Sequence, residues 1–523
     1  MWIATSQHCR EIDRRATEEF GLPANVLMER AGLAVFEAVR ELLPEGGRIS
    51  VLCGKGGNGG DGFVVARVAR DHGYHVECLV ACEERDLHEV AREQMTVARA
   101  LGLQPIFFDD ARWRRRVDAL GAQDLVVDAL LGIAAKCNVK GAIKEAIQAI
   151  NRAGVPVVSV DVPSGIHADT GEELGESVWA LRTVTMGLPK PFLFEGIGLE
   201  HSGHWSVAEI GYPSVLTDSP TYARLLDERW VGQLLPERMK ASHKGDNGSM
   251  LIVAGSSRLR GAAALVARAA LRAGAGLVTV ASIESVCESV AAQLPEVIFL
   301  PLPERDGAIS PEAADLLLEA GKKAKATVFG PGLTHADGVR ELLSKVWSHW
   351  ERPCVLDADA LNAIALGVKG PNVERVYTPH PGEMGRLIQS SVAEVQNDRF
   401  QTVQTALSQV RASILLKGPY SIVGEPGQPM LVNRTGNPGQ ATGGMGDILS
   451  GVIGTLMAQE LPAYYAAACG MYWHGAAADD CAERIGHVGY GASDVADALP
   501  GVRMRICRPD AKSCYGRCDA SSC

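Results

Sequence analysis

Residues 48–73 read RISVLCGKGGNGGDGFVVARVARDHG, and this segment indicates the fold of the first half of the chain. An apolar run is followed by a glycine-rich loop and then by apolar residues at helical spacing, which predicts a strand, a loop and a helix. The glycines allow positive φ angles and a close approach of the backbone to a ligand. Free amides at the start of the helix favour phosphate. The loop matches neither G-x-G-x-x-G nor a Walker loop, so a glycine-rich turn that binds nothing is the alternative.

The same strand and helix pattern recurs along both halves of the chain. Short runs rich in Val, Ile and Leu end in or near glycine: RISVLCG, HVECLVAC, DLVVDALLG and VPVVSVDVPSG, and later SMLIVAGS, GLVTVAS, TVFGPG, PCVLDADA and SILLKG. Helical patterns such as GAAALVARAALRAGAG lie between them. Strands that alternate with helices predict parallel sheets covered on both faces, which is an α/β architecture.

The length of 523 residues exceeds what one hydrophobic core usually organises, so at least two domains are expected. The alternation pauses between about Leu199 and His243, where turn residues are frequent, and the boundary is placed near Leu225–Lys240. The predicted domains are residues 1–224 and 235–505, followed by a tail at 506–523. The tail carries Cys507, Cys514, Cys518 and Cys523. It is expected to be disordered; a metal site is the alternative, although C-x-x-C pairs are lacking.

Composition excludes several classes of protein. The net charge of -11 argues against a general nucleic-acid binder. No apolar run approaches the roughly 20 residues that span a bilayer, and the charged N-terminus does not resemble a signal peptide. The 13 cysteines are an odd number, and most lie in apolar segments, which is typical of reduced thiols. We therefore expect a cytoplasmic protein that binds neither nucleic acid nor membrane.

Polar residues follow two predicted strands of the first half. Asp128 ends DLVVDALLG, and Asp161 and Ser164 end VPVVSVDVPSG. In open α/β sheets, ligands bind in the crevice outside the carboxyl ends of the strands. Asn58, Asp128 and Ser164 would project there, and one carboxylate with neutral oxygens suits a monovalent cation better than magnesium or zinc. For each aspartate, a helix cap or a turn is the alternative.

The strongest feature of the second half is residues 433–459, NRTGNPGQATGGMGDILSGVIGTLMAQ. Gly443, Gly444 and Gly446 precede a predicted helix that begins near Asp447. Backbone amides at such a turn form a nest for phosphate, and Asp447 could take a proton from a hydroxyl group. An ordinary helix cap is the alternative for this aspartate.

The first half, from about Met1 to Pro213, resembles the YjeF N-terminal domain, the NAD(P)H-hydrate epimerase family, through NVLMERAG, GKGGNGGDG, VVDALLG and DVPSG. The resemblance implies a Rossmann-like, three-layer fold, potassium bound by Asn58, Asp128 and Ser164, and Asp161 at the reacting end of the substrate as the acid/base candidate. A turn-forming role is the alternative for Asp161. It also implies that the substrate is lined by Gly57, Asn58, Gly59, Gly60, Asp61, Gly132, Ile133, Ala134, Ala135, Lys136, Cys137 and Asn138.

Two departures from that family stand out. The family usually has two asparagines where this chain has Gly57 and Asn58, which removes one polar substrate contact but keeps the inferred cation ligand. The sequence LLGIAAKC after Asp128 is also unusual.

The second half, from about Lys240 to Leu499, resembles the YjeF C-terminal domain, an ADP- or ATP-dependent NAD(P)H-hydrate dehydratase of the ribokinase-like superfamily. Six motifs carry the resemblance in order: HKGDNG, GPGL, LDADALN, TPHPGEM, LLKG and TGGMGD. It implies contacts to the hydrated dinucleotide from Ala262, Gly332, His380 and Asp447, with Mg²⁺ accompanying the nucleotide. The adenine nucleotide would be bound by Lys417, Gly418, Pro419, Tyr420, Ser421 and Gly446.

Two histidines of this half have simpler alternatives. His380 could be a turn residue in TPHPGE, where two prolines fix the loop. His474 lies on an apolar predicted helix, MYWHGAAA, and is expected to be a core residue with its polar atoms satisfied.

Together these resemblances imply a bifunctional repair enzyme that epimerises hydrated NADH and NADPH and dehydrates the S hydrate by phosphorylation and elimination. The fusion of the two domains resembles the bacterial arrangement, which favours ADP over ATP as the nucleotide. A homo-oligomer is also expected. One rival is a ribokinase-like small-molecule kinase with a dinucleotide-binding regulatory domain. Another is a non-catalytic dinucleotide sensor; Asp447 together with the trio of Asn58, Asp128 and Ser164 argues against it.

Overall fold

The computed structural model describes residues 1–121, 124–218 and 222–507. The chain divides into two units, Met1–Arg224 with Gln396–Asp398, and Leu225–Val395 with Arg399 onwards. Of the predicted tail, only residues 506 and 507 lie among those described. Ile506 closes the last helix and is buried, Cys507 is an exposed free thiol, and Cys514, Cys518 and Cys523 lie outside the described residues.

The N-terminal unit is built on a parallel sheet of seven strands. The strands in this part of the chain are β1 Trp2–Ile3, β2 Arg48–Cys53, β3 His75–Val80, β4 Ile106–Phe107, β5 Asp124–Ala129, β6 Val157–Val160, β7 Arg182–Met186, β8 His204–Ala208 and β9 Ala223–Leu225, and β2 to β8 form the sheet. The sheet order is β4-β3-β2-β5-β6-β7-β8, and all six pairings are parallel. The first residues of β1 pair with Arg224 and Ala223 in an antiparallel arrangement.

Helices cover both faces of this sheet. They are α1 Ser6–Glu18, α2 Ala24–Leu42, α3 Gly57–Asp71, α4 Glu89–Ala100, α5 Ala111–Val117, α6 Gly141–Ala153, α7 Gly198–His201 and α8 Ser214–Thr217, with short 3-10 helices at Glu84–Asp86 and Pro191–Leu193. One core cluster joins α1–α4 to Val51 and Val127 of the sheet, and a second joins α5 and α6 to Leu52 and Val126. Because neighbouring strand residues point to opposite faces, the unit has three layers, as predicted.

The C-terminal unit contains a second, larger sheet. The strands of the unit are β10 Ser249–Val253, β11 Leu277–Ile283, β12 Ile298–Leu302, β13 Glu304–Arg305, β14 Ala308–Ile309, β15 Ala326–Phe329, β16 Cys354–Leu356, β17 Arg375–Tyr377, β18 Ser413–Leu416, β19 Ile422–Gly424 and β20 Met430–Val432. Strands β13 and β14 pair with each other in a separate antiparallel sheet. Within the unit the order is β20-β19-β18-β17-β16-β15-β10-β11-β12. The pairings from β18 to β12 are parallel, whereas β18, β19 and β20 pair antiparallel.

The helices of this unit are α9 Glu228–Leu234, α10 Arg260–Ala273, α11 Glu284–Ala291, α12 Ala314–Lys323, α13 Asp337–Trp347, α14 Asp359–Ala365, α15 Pro381–Ile388, α16 Val392–Asn397, α17 Arg399–Gln409, α18 Met445–Ala458, α19 Ala463–Ile485 and α20 Ala492–Ile506, with 3-10 helices at Pro311–Ala313 and Pro438–Gln440. Helices α10 and α18 pack very closely. A Cβ at Gly451 would lie 2.6 Å from the Val266 carbonyl oxygen and 2.7 Å from the Ala269 Cβ. This packing holds α18 against α10.

The structure confirms the predicted α/β class and corrects one detail. The predicted pause between Leu199 and His243 contains regular structure, because β8, α8, β9 and α9 all lie there. These elements are short, and β8 is an edge strand whose side chains are mostly part-exposed, so its sequence lacks the apolar run of a buried strand. The ten described cysteines are free thiols. Among the described helices, none is both long and apolar enough to cross a membrane.

Candidate active sites

The glycine loop of the first half lies where β2 meets α3, as predicted. Gly59 and Gly60 are buried, and a Cβ at Gly60 would lie 2.6 Å from Met28 Sδ. Gly57 is exposed, with open space where a Cβ would be. The buried glycines therefore allow close packing behind the loop, while Gly57, Asn58 and Asp61 form the part that a ligand can reach.

The three predicted cation ligands lie together at the carboxyl ends of β5 and β6. The Ser164 hydroxyl donates to Oδ1 of Asp128 at 2.5 Å and accepts from the Leu131 amide at 2.9 Å. The Asn58 amide group donates to the Leu131 carbonyl at 2.8 Å. Burial raises the pKa of Asp128, and the hydrogen bonds from Ser164 and Ser159 offset part of that rise. The arrangement gathers carboxylate, hydroxyl, amide and carbonyl oxygens, the donor set of a hard cation.

The loop after Asp128 lies beside the same group. A Cβ at Gly132 would lie 3.1 Å from Asn58 Oδ1, so the loop backbone contacts the first turn of α3. Ile133 packs against the core, whereas Lys136, Cys137 and Asn138 are exposed. Ala134 is exposed and Ala135 is part-buried. The predicted substrate loop and the predicted glycine loop are thus neighbours.

Asp161 forms a buried ion pair that the sequence did not predict. The Lys190 ammonium group donates to Asp161 Oδ1 at 2.5 Å, to the Thr185 hydroxyl at 3.0 Å and to the Met186 carbonyl at 2.8 Å. Burial alone would lower the pKa of Lys190, but the Asp161 carboxylate, together with Cys9 and Asp13, outweighs burial, and the pKa is raised. Lys190 follows β7 in the segment GLPKPF, and a lysine between two prolines just beyond a strand was the available signal.

Further carboxylates surround this ion pair. Burial raises the pKa of Asp61 well above its usual value, and the Asp161 and Asp13 carboxylates raise it further. Burial also raises the pKa of Asp13, which accepts a hydrogen bond from the Tyr212 hydroxyl. Groups of acids with raised pKa values around one buried ammonium are typical of acid/base sites.

In the second half, Asp447 lies in the first turn of α18, immediately after a glycine turn. Gly444 has a φ of 88°, and a Cβ there would lie 3.1 Å from the Ala492 Cβ, so this position favours glycine. Burial and the neighbouring Asp357 carboxylate raise the pKa of Asp447 to about 7, against an opposing effect of Lys417. A carboxylate with this pKa can act as a base near neutral pH.

Lys417 joins the end of β18 to two carboxylates. Its ammonium group lies 2.8 Å from Asp357 Oδ1 and 3.8 Å from Glu383 Oε2. The second Asp357 oxygen accepts a hydrogen bond of 2.7 Å from Ser450 of α18. A Cβ at Gly446 would lie only 3.3 Å from Lys417 Nζ. Lys417 and Gly446, predicted to bind the nucleotide, are therefore adjacent. Asp357, Glu383 and Ser450 are site residues that the sequence analysis did not assign.

The remaining predicted contacts cluster in two places. Gly332 has a φ of 67°, and a Cβ there would lie 3.1 Å from the Ala262 Cβ, so these two residues are neighbours. The segment from Lys417 to Ser421 turns sharply, with a φ of 135° at Gly418 and 48° at Tyr420. The Ser421 hydroxyl donates to the Gly418 carbonyl at 3.0 Å, and Pro419 is exposed.

His380 occupies the N-cap of α15, the turn role described as its alternative. Its Nδ1 accepts from the Gly382 amide at 3.0 Å, and its own amide donates to Glu383 Oε2 at 2.9 Å. Burial lowers the pKa of His380, as do Lys417 and Arg386. The imidazole Nε2 lies 3.5 Å from Glu383 Oε1. The capping role of His380 is compatible with a contact to substrate, because the His380 side chain remains half exposed.

Ala358, which follows Asp357, has an unusual backbone conformation. Its φ of 49° and ψ of -116° lie in a region that glycine adopts readily and alanine rarely does. Such conformations cost about 1–3 kcal/mol and cluster at functional sites. Asp161 and Tyr420 also have positive φ values, so three of the strained residues lie at or beside predicted site residues.

His474 is buried in α19, as expected, but only one of its ring nitrogens has a partner. Its Nδ1 lies 3.2 Å from the Gln440 side-chain nitrogen, while Nε2 has no hydrogen-bond partner among the described residues. Burial and Lys417 lower the pKa of His474 to about 4. The expected burial is therefore observed, whereas full satisfaction of the ring is not.

Comparisons with known proteins agree on a family. Residues 250–501 match the model described as NAD(P)H-hydrate dehydratase, and residues 24–192 match that of the YjeF-related protein N-terminus. A bifunctional NAD(P)H-hydrate repair enzyme of Moorella thermoacetica is 39% identical over 515 residues, covering 97% of each chain. Proteins of the same name from Coxiella burnetii and Escherichia coli are 38% and 35% identical, covering 96% and 98% of this chain and 98% and 94% of their own.

Among solved structures, an ADP/ATP-dependent NAD(P)H-hydrate dehydratase from Bacillus subtilis, co-crystallized with ATP/Mg²⁺, is 29% identical. It covers 54% of this chain and 99% of its own, with a TM-score of 0.48. The near full-length relatives and the two family models are consistent with both sets of motifs in this chain. The chain therefore belongs to the family of bifunctional NAD(P)H-hydrate repair enzymes.

Proposed function

We propose that this protein restores NADH and NADPH from their hydrated forms. The N-terminal unit epimerises the R and S hydrates, and the C-terminal unit dehydrates the S hydrate with ADP or ATP. The proposal depends mainly on the position and pKa of Asp447. Its carboxylate lies beside a glycine turn at a helix N-terminus, and its pKa is about 7. Those are the properties required of a base that activates a hydroxyl group next to a bound phosphate.

In the dehydratase reaction, Asp447 removes the proton from the ring hydroxyl of the hydrate as that oxygen attacks the terminal phosphorus of the nucleotide. The phosphoanhydride bond breaks, and the shortened nucleotide leaves. The phosphorylated ring then loses inorganic phosphate by breaking its C–O bond, and a proton leaves the neighbouring carbon to form the double bond. Phosphate leaves readily where hydroxide does not, so the nucleotide makes the elimination possible. The amides around Gly446 and the ammonium group of Lys417 stabilise charge on the transferring phosphoryl group.

The nucleotide is proposed to bind along Lys417, Gly418, Pro419, Tyr420, Ser421 and Gly446, and the hydrate against Ala262, Gly332, His380 and Asp447. The adjacency of Lys417 to Gly446, and of Ala262 to Gly332, supports this division. ADP is the proposed physiological nucleotide.

Mg²⁺ would accompany the nucleotide. In phosphoryl-transfer sites this ion is held mainly by substrate phosphates and water, with one or two carboxylates. Asp357 suits that chemistry, because its Oδ2 would lie 3.7 Å from a Cβ at Gly446, beside the glycine turn, although its Oδ1 is already paired with Lys417. When bound, the ion would neutralise charge on the phosphates.

In the epimerase site, we propose that Asp161 and Lys190 move protons at the hydrated ring. Asp161 is the acid/base residue, and Lys190 holds its carboxylate in place through their hydrogen bond of 2.5 Å. Asn58, Asp128 and Ser164, with the Leu131 carbonyl, would hold potassium, which when bound would orient the phosphates of the dinucleotide. The substrate would lie along Gly57–Asp61 and the loop 132–138.

Three broader expectations stay proposals. Residues 1–224 and 235–505 act as separate domains, which the division of the chain near Arg224 supports. The protein acts in the cytoplasm. It forms a homo-oligomer.

The proposed function is tested by incubating the full chain with an epimer mixture of hydrated NADH and with ADP or ATP. The absorbance of the regenerated dihydronicotinamide should rise until both epimers are consumed. A small-molecule kinase would instead accumulate a phosphorylated product without this absorbance. A chain that consumes neither hydrate nor nucleotide would contradict the proposal.

A further inference from the structure

Helix α19 holds the segment that leads into the glycine turn through a row of hydrogen bonds. The Asn433 side chain donates to the Met471 carbonyl at 3.2 Å, and the Thr435 hydroxyl donates to the Tyr472 carbonyl at 2.8 Å. Gly475 of the same helix approaches so closely that a Cβ there would overlap Thr435. The backbone of residues 433–436 is therefore fixed against the helix.

Asp479 of α19 continues this row with both carboxylate oxygens. Oδ2 accepts from the Gly436 amide at 2.9 Å, and Oδ1 accepts from the Asn437 side-chain amide at 2.9 Å. The side-chain oxygen of Asn437, Oδ1, accepts hydrogen bonds from the Gly439 amide and from the Tyr490 hydroxyl. Asp479 therefore contacts two successive residues of the segment, the backbone of Gly436 and the side chain of Asn437, with separate oxygens.

His474 makes the last contact before the glycine turn. Gln440 accepts the Asn437 amide at 3.3 Å through Oε1, and its nitrogen donates to His474 Nδ1 at 3.2 Å. Nδ1 can accept only while the ring is neutral, and burial lowers the pKa of His474 to about 4, so the bond persists at neutral pH. Three residues beyond Gln440 lies Gly443, and α18 with Asp447 begins at Met445.

We propose that Asp479 and His474 are positioning residues for the dehydratase. They fix residues 433–440 against α19, and they thereby set where the glycine turn and Asp447 meet the phosphates of the nucleotide. This inference rests on the proposed function of the C-terminal unit. Phosphoryl transfer depends strongly on geometry, and a displacement of about 1 Å can cost about 10²-fold in rate.

Asp480 provides a matched control for Asp479. It is the next residue of the same helix, but it pairs with Arg484 and Arg505 at 2.6 Å each and makes no described contact to residues 433–440. Asp479→Asn should lower kcat/KM for dehydration by at least roughly tenfold, with a raised KM for the nucleotide, and should leave epimerisation unchanged. Asp480→Asn should alter neither activity.

Two His474 variants test the contact to Gln440. Asparagine places an oxygen near the position of Nδ1, so His474→Asn keeps an acceptor for Gln440, whereas His474→Ala removes it. We expect His474→Ala to share the defect of Asp479→Asn and His474→Asn to recover most of the activity. If both variants are equally impaired, the role of Nδ1 is wrong. These variants also provide the test if Asp479→Asn does not fold.

A readout independent of catalysis is amide hydrogen exchange across residues 441–447, together with the affinity of the full chain for ADP and for ATP with Mg²⁺. Exchange should be faster and affinity lower in Asp479→Asn than in wild type or Asp480→Asn. If wild type binds no adenine nucleotide, the proposed function fails. If wild type binds it and Asp479→Asn matches wild type in exchange, affinity and kcat/KM, the positioning role is overturned.

Discussion

The ammonium group of Lys190 donates to Oδ1 of Asp161 at 2.5 Å, with the Lys190 side chain 1% exposed and that of Asp161 11% exposed. Two charges buried in this way depend on each other, because removal of one leaves the other unpaired in a poorly solvated site. The pair therefore links the stability of the N-terminal unit to the acid/base chemistry proposed for it.

Lys190→Met is expected to stop epimerisation and to lower the free energy of unfolding by about 3–5 kcal/mol. The double variant Asp161→Asn with Lys190→Met should recover much of the stability but none of the activity, because the unpaired charge is gone and the acid/base group with it. Urea unfolding and chromatography of the two hydrate epimers measure both effects. Lys144→Met, at an exposed lysine, is the control. A double variant that epimerises at the wild-type rate would contradict the role of the pair.

Much of the fold follows from the sequence, because every quoted apolar run forms a strand in the structure. Apolar runs predict these strands correctly because parallel strands that are buried on both faces consist of nearly continuous Val, Ile and Leu. The strand β8, HWSVA, was not predicted, since an edge strand with part-exposed side chains has no such run. Short elements of this kind depend on contacts that are made only after the chain folds.

The candidate sites were predicted where function lies at strand ends and in glycine turns. Asp128, Ser164 and Asn58 come together, and Asp447 follows its glycine turn. The partners Lys190 and Asp357 were not assigned, because the first lies 29 residues from Asp161 and the second 60 residues from Lys417. A local pattern can draw attention to a residue such as Lys190, but it does not report which distant residue lies beside it.

Asp447→Asn is expected to lower the dehydration rate by about 10²–10⁴-fold, because the amide cannot accept the hydroxyl proton. Epimerisation should be unchanged. The control is Asp337→Asn, which alters an exposed aspartate in the first turn of α13 and should leave both activities intact. Absorbance of the regenerated dihydronicotinamide measures dehydration. Activity within a few-fold of wild type would leave Asp447 with a helix-capping role only.

The dehydration rate should depend on pH through Asp447. Burial raises the pKa of this carboxyl group to about 7, and a base acts only when deprotonated. The value of kcat/KM should therefore fall about tenfold for each pH unit below 7 and level off above it. Measurement of initial rates between about pH 5.5 and about pH 8.5 tests this. A flat profile, after correction for the stability of the hydrate and the nucleotide, would contradict the assignment.

Potassium should support epimerisation and not dehydration. Asp128→Ala should weaken binding of the hydrate in the N-terminal unit, because it removes the one carboxylate of the predicted cation site. Chelators of divalent ions should stop dehydration, for which Mg²⁺ is proposed, and leave epimerisation intact. The measurement is the rate of each reaction in potassium, in sodium and in a bulky organic cation. Equal epimerisation rates in all three salts would refute the site.

Division of the chain near Leu234 should give two active fragments, since domains of about 100–250 residues commonly fold alone. The C-terminal fragment should consume one epimer rapidly and then slow to the rate of spontaneous epimerisation. Addition of the N-terminal fragment should abolish the slow phase. The time course of absorbance shows both phases. A single fast phase from the C-terminal fragment alone would mean that the dehydratase accepts both epimers.

Ala358, with its φ of 49°, has a consequence for how this protein could be stabilised. A glycine at this position would relieve the strain, so selection for heat resistance alone would favour it. The same change would free the backbone beside Asp357, whose carboxylate orients Lys417 and Ser450. Ala358→Gly is therefore expected to raise thermal stability and to slow dehydration, a trade between the two that begins at a single backbone position.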